Sequence, residues 1–252
     1  MGTRLAHQTA LITGSTSNLG RAIALAYAAE GAHVLVTGRD PGRGAAVVAE
    51  IQAEGGRADF LAADLSGSPA AASEFATRAT EMLGGRIDIL VNNSGAIGGR
   101  TTTDTDEAAF DQVFGVNVKA PFFLTAAIAP AMAAQGGGVI INLGSWVARL
   151  GIPIGAAYAA SKGALETLTR AWSAEFGPAG VRVNAISPGV VHADTEGHPA
   201  AAMMKGTPYG AIGKPEAIAQ AAVYLASADS AFAHGTVLDV DGGRIGVAVM
   251  AS

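Results

Sequence analysis

Tyr158 and Lys162 stand four residues apart in the stretch Tyr-Ala-Ala-Ser-Lys, and Ser145 precedes the tyrosine by thirteen residues. On a helix, positions i and i+4 share a face, so a lysine ammonium would lie beside a phenol. A neighbouring positive charge favours the phenolate and lowers the phenol's pKa from its ordinary value of about 10. A tyrosine tuned in that way passes a proton near neutral pH. Ser145 follows the apolar run 139–143, which reads as a buried strand, and a serine at the end of such a strand can hydrogen-bond the same substrate oxygen. Tyr-x-x-x-Lys alone also arises from ordinary helix packing. The serine at this spacing, together with a glycine-rich N-terminal turn, points to chemistry.

Positioning these groups requires a regular frame, and the chain has one. Short apolar runs at 9–13, 33–37, 58–61, 87–91, 139–143, 181–186 and 236–240 read as strands. Between them, residues 19–30, 44–54, 69–83, 106–118, 121–135, 156–176 and 215–227 read as helices, several of them stopped by glycine. Continuously apolar strands alternating with helices predict a parallel sheet covered on both faces, and right-handed crossovers make it doubly wound. Neither an internal repeat nor a linker is present, so residues 1–252 read as one α/β domain. The glycine-, proline- and histidine-containing segment 187–214 interrupts the rhythm, and its part from about 190 to 214 reads as a lid over a substrate pocket. Helices 121–135 and 156–176 are apolar on several faces, which suggests a symmetric subunit interface.

Composition narrows the chemistry. Half of the 252 residues are hydrophobic, 15% are charged, and the net charge is −5 with no run of basic residues, which argues against a nucleic-acid surface. Cysteine is absent, so disulfides, thiol catalysis and zinc–thiolate sites are excluded. No metal site is expected. An apolar strand begins within ten residues of the N-terminus, with no signal-peptide pattern and no window of 18 uninterrupted apolar residues. A cytoplasmic protein without a membrane partner is the expectation.

The turn Thr13-Gly14-Ser15-Thr16-Ser17-Asn18-Leu19-Gly20 joins the first strand to the first helix. Small residues there let backbone N–H groups approach a pyrophosphate, and the helix N-terminus adds positive potential. Gly20 would allow close packing of the helix.

With this turn in view, the chain resembles the short-chain dehydrogenase/reductases. Their loop reads T-G-x-x-x-G-x-G; Asn18 replaces the middle glycine here, and asparagine tolerates left-handed backbone angles. The resemblance continues in order through Asp64-Leu65, Asn92-Asn93-Ser94-Gly95, Asn117, Ser145, Tyr158, Lys162 and Pro188-Gly189, covering about residues 8–243. It implies a Rossmann-like domain of about seven parallel strands, as a homotetramer or homodimer, that interconverts a ketone and a secondary alcohol. By the same resemblance, Tyr158 is general acid and base and Ser145 holds the substrate oxygen. Lys162 lowers the Tyr158 pKa and binds the ribose, and Asn117 supports a water-linked proton path to Lys162. Cofactor contacts are implied for Gly14, Ser15, Ser17, Asn18, Leu19, Gly20, Arg39, Asp64, Leu65, Asn93, Ser94, Gly95, Tyr158, Lys162, Pro188, Gly189 and Val191. The family's threonine four residues after Gly189 is Ala193 here, with Thr195 as a substitute if the loop is rearranged.

After the second strand the chain reads Val36-Thr37-Gly38-Arg39-Asp40. An acid at its end would hold the 2′-OH of NAD, whereas an arginine accommodates the 2′-phosphate of NADP. Arg39 therefore favours NADP(H) over NAD(H), with Asp40 as a competing partner. Ser94, Ala96, Trp146, Arg149 and the segment 192–209 are candidates for the small-molecule pocket. Trp146, Met203, Met204 and Tyr209 suggest an apolar lining, or else core and lid anchors. The alternatives are a 3-oxoacyl-thioester (acyl-carrier-protein) reductase, an NAD-linked alcohol or sugar dehydrogenase, and a dinucleotide-binding sensor without turnover. Residues 131–138 and 177–180, commonly basic in carrier-protein reductases, carry no basic residue, which argues against the first.

Overall fold

The computed structural model describes residues 3–65, 68–153 and 155–248. Seven parallel strands form one sheet: β1 (Thr9–Ile12), β2 (His33–Gly38), β3 (Arg57–Ala62), β4 (Ile89–Asn92), β5 (Gly138–Leu143), β6 (Val181–Pro188) and β7 (Val237–Val240). Their order is β3-β2-β1-β4-β5-β6-β7, so the chain reverses its direction of winding between β1 and β4. A crevice opens at such a switch point, beyond the carboxyl ends of the strands.

The helices are α1 (Asn18–Ala29), α2 (Pro41–Ala53), α3 (Pro69–Met82), α4 (Glu107–Phe114), α5 (Ala120–Ala134), α6 (Ala156–Phe176) and α7 (Pro215–Ala226). One face of the sheet packs Ile23 and Tyr27 of α1 with Ile218 and Val223 of α7. The other packs Phe75 of α3, Leu124 and Met132 of α5, and Leu165 and Trp172 of α6. Every residue of β1 and β4 is buried, as expected of strands covered on both sides.

Two helix boundaries differ from expectation for local reasons. α2 starts at Pro41, not near 44, because Asp40 accepts from Gly42 N (2.9 Å) and Arg43 N (3.1 Å) and proline suits the first helical turn. The helices expected at 106–118 and 121–135 are one continuous helix, joined by a π-helical turn at Gly115–Lys119. Pro121 has no N–H to give to the ordinary ladder, and a widened turn absorbs such a defect. The joined helix Glu107–Ala134 is long and apolar enough to cross a membrane by length and composition, although no spanning helix is expected from uninterrupted apolar runs. Its inner face lies in the core, and Phe122 on its outer face is 42% exposed.

Candidate active site

The glycine-rich turn is built around two left-handed residues, Gly14 (φ +63°) and Asn18 (φ +42°). The asparagine thus adopts the geometry expected of a glycine. A Cβ at Gly20 would lie 2.4 Å from Gly14 O and 2.5 Å from Asn93 Nδ2, so only glycine closes this turn. Asn93 secures it by donating through Nδ2 to Thr13 O (2.8 Å) and Gly14 O (3.0 Å), while Thr13 Oγ1 accepts from Asn93 N and Ser94 N. The result is a cradle of bare backbone at the α1 N-terminus, a fit for a pyrophosphate.

A cleft of about 1360 Å³ runs from this turn to Tyr158. It is lined by all the expected cofactor and catalytic residues except Ser15, Asn117 and Ser145. Ser15 is a correction: it is fully buried, its N bonds Thr37 O, and its hydroxyl donates to Ile12 O (2.7 Å) and accepts from Thr37 N (2.9 Å). With both donors committed to joining β1 to β2, it has none for a phosphate. Thr16, Arg43, Ile97, Arg100, Gln112 and Val190 line the cleft unanticipated. Arg43 was findable, since it follows Arg39 by one helical turn across a proline-initiated N-terminus.

Arg39 is exposed on the cleft and makes no ion pair among the described residues. Its expected competitor is occupied elsewhere: Asp40 caps α2 and lies 3.5 Å from Arg43 Nε. The side-chain space at Gly38 is filled by Thr16, whose Cγ2 would be 2.7 Å from an added Cβ.

At the other end, Ser145 sits just past β5, close enough to Tyr158 that its hydroxyl favours the ionised phenol. Tyr158 and Lys162 share a face of α6, with Lys162 Nζ 5.8 Å from the tyrosine ring centroid. Lys162 is buried and donates to Leu143 O (2.7 Å); desolvation pulls its pKa down to about 8. The Tyr158 pKa is moved up, because burial outweighs the opposing influence of Ser145. The net shift is therefore opposite to the one expected from the Lys162 spacing, because desolvation of the phenolate dominates.

Asn117 is fully buried in the π turn. Its Oδ1 accepts from Ala96 N (2.7 Å), and its Nδ2 donates to Ala96 O (3.0 Å) and Ser161 Oγ (2.9 Å). Both amide N–H bonds and one lone pair of Oδ1 are thus used to pin the loop after β4 to α6.

The lid contributes less than expected. Val190 and Val191 reach the cleft, whereas Ala193 and Thr195 do not. Trp146 is buried beneath the guanidinium of Arg244, 5.1 Å from its ring centre, and Met204 is buried against the turn at Gly242. These two are core and lid anchors. Arg149 turns away to Asp239.

Comparison with known proteins agrees with this geometry. The family model described as short chain dehydrogenase matches residues 8–202. The 2-(S)-hydroxypropyl-CoM dehydrogenase 3 of Xanthobacter autotrophicus is 36% identical over 98% of this chain and 100% of its own. A 7α-hydroxysteroid dehydrogenase solved with NADH and 7-oxo glycochenodeoxycholic acid superposes with a TM-score of 0.89 at 34% identity, covering 95% of both chains. The 3-oxoacyl (acyl-carrier-protein) reductase of Agrobacterium tumefaciens C58, solved with NADP, has a TM-score of 0.89 at 32% identity, again over 95% of both. The chain belongs to the short-chain dehydrogenase/reductase family, oxidoreductases that act on alcohol and ketone groups.

Proposed function

We propose that this protein is an NADP(H)-preferring enzyme that interconverts an uncharged ketone and its secondary alcohol. When bound, the nicotinamide supplies or accepts the hydride; the chain supplies orientation and the proton. Tyr158 gives its phenolic proton to the carbonyl oxygen during reduction and takes it back during oxidation. Ser145 holds that oxygen, and Lys162 places positive charge beside the phenol as it ionises. Asn117 keeps the Gly95-Ala96 floor of the cleft in place.

The observation that carries the cofactor preference is Arg39, without an ion pair among the described residues and beside Gly38, with Arg43 one turn away. A charge-assisted bond to a 2′-phosphate is worth about 1.5–3 kcal/mol, but exposure reduces an ion pair to under ~1 kcal/mol in many cases. A moderate preference for NADPH, weakened by salt, is the expected result of fluorescence titration. Arg39→Ala is expected to weaken NADPH binding and leave NADH unchanged. Equal loss for both cofactors would reduce Arg39 to a loop residue. Turnover should appear in a panel of aliphatic and alicyclic ketones with NADPH; turnover confined to 3-oxoacyl thioesters would favour the carrier-protein reading instead. An uncharged substrate is supported by the apolar rim of Ile97, Val113, Val116 and Val190, and by Arg100 being paired with Asp106 at 2.8 Å.

The same reading includes a cytoplasmic homotetramer or homodimer with neither membrane nor nucleic-acid partner. The exposed Phe122, packed 6.1 Å from the Trp172 ring across α5 and α6, supports a subunit contact there. Light scattering at micromolar concentration is expected to give a tetramer's mass; a monomer would refute the contact.

A further inference from the structure

Ser145 can serve the phenol only if the turn that bears it is held against α6. That turn is held by its own backbone bonds, among them Ala148 N to Ser145 O (3.0 Å), and these do not reach α6. Gly144 N donates to Ile186 O (2.8 Å), and Val147 N reaches Ser145 Oγ only at 3.5 Å. A single helical turn, Trp146–Ala148, follows, and Arg149 N and Leu150 N then both donate to Trp146 O (3.2 Å each).

Arg149 ends this turn and reaches two other elements. Its guanidinium forms a fork on the Asp239 carboxylate of β7, with Nη1 3.0 Å from Oδ2. Its Nε lies 3.5 Å from Glu166 Oε2. Glu166 follows Tyr158 and Lys162 at four-residue steps along α6, and its side chain is 6% exposed. The second carboxylate oxygen, Oε1, is buried with no hydrogen-bond partner, and it lies 3.4 Å from where Gly144 would carry a Cβ. Ser187 of β6 pairs with Asp239 and shares the α6 side of the sheet with Val181 and Val183; its Oγ is likewise buried and unpartnered. The Ser145 turn, the Tyr158 helix and the edge strand β7 thus meet in one cluster of charges.

A buried carboxylate is costly unless a cation faces it. The charged groups acting on Glu166 are Arg149 and Arg170, which favour its ionisation, and Asp239, which opposes it. Arg149 alone among them belongs to the Ser145 turn. We propose that Arg149, clamped between Glu166 and Asp239, is a positioning residue that holds Ser145 against the Tyr158 phenol. This inference rests on the catalytic roles of Ser145 and Tyr158 given above.

A double-mutant cycle with Ser145→Ala, using NADPH and the best ketone of the panel, tests it. Arg149→Met is expected to lower kcat roughly 10-fold, the scale of a sub-ångström misplacement, with NADPH affinity unchanged. In the Ser145→Ala background it should cost nothing further, because the group it positions is gone. Losses that multiply across the cycle, or wild-type kcat in Arg149→Met, overturn the proposal. Glu166→Gln, which keeps the side chain's size, gives the same cycle if Arg149→Met fails to fold. Wild-type turnover in Ser145→Ala alone overturns the catalytic reading, and the positioning role with it. A crystal structure of Arg149→Met with Ser145 unmoved relative to Tyr158 overturns the positioning role whatever the turnover.

Discussion

Replacing Tyr158 by phenylalanine is expected to lower turnover on the order of 10²–10⁴-fold, the usual contribution of a positioned acid, with NADPH binding and melting temperature nearly unchanged. Only the hydroxyl is lost, and the ring keeps its packing on α6. The structure adds a direction in pH. Burial raises the Tyr158 pKa, so the phenol is protonated at neutral pH. Carbonyl reduction, which needs the proton, is expected to hold at neutral pH and fall as the phenol ionises. Alcohol oxidation, which needs the phenolate, is expected to climb with pH through the alkaline range. Steady-state rates in both directions across pH check this. A Tyr158→Phe enzyme with near wild-type rates, or an oxidation rate that falls with rising pH, would sink the assignment.

Lys162→Met is expected to remove most turnover, on the order of 10²–10³-fold, the scale seen when a preorganised electrostatic group is lost. The same change should leave the protein at least as stable at pH 7. Desolvation lowers the Lys162 pKa from 10.5 to about 8. At neutral pH the ammonium is therefore charged in both states and costly to bury, by roughly 3 kcal/mol at 1.36 kcal/mol per pKa unit. Leaving the Leu143 carbonyl without its donor costs about 1–3 kcal/mol in the opposite sense. Between pH 8 and 10.5 the unfolded chain binds more protons at this lysine than the native one. The wild-type protein should thus gain stability with rising pH relative to the methionine variant. Melting curves of both proteins over that range decide it. A variant that melts well below wild type at pH 7, or a difference that does not change with pH, would show that Lys162 is not a buried charge under strain.

Taken by itself, the chain's residue order determined the fold and the outline of the site, because both depend on local spacing. Apolar runs of strand length between helix-length segments leave a doubly wound sheet as the economical arrangement. A glycine-rich turn after β1 then has to lie at the switch point. Tyr158 and Lys162 share a face because a helix places i and i+4 together. Asn18 takes a left-handed angle for the reason that its residue type allows. The tertiary structure decided what depends on elements distant in sequence. Ser15 turns inward because the Thr37 N–H, twenty-two residues away, needs its hydroxyl. Asp40 caps α2 and so leaves Arg39 to the cleft. Tyr158 moves up in pKa, not down, because desolvation is set by everything packed around it, whereas spacing reports a single neighbour. The charges that steady Ser145 come from α6 and β7, and no local pattern in the sequence couples Arg149 to Glu166 and Asp239.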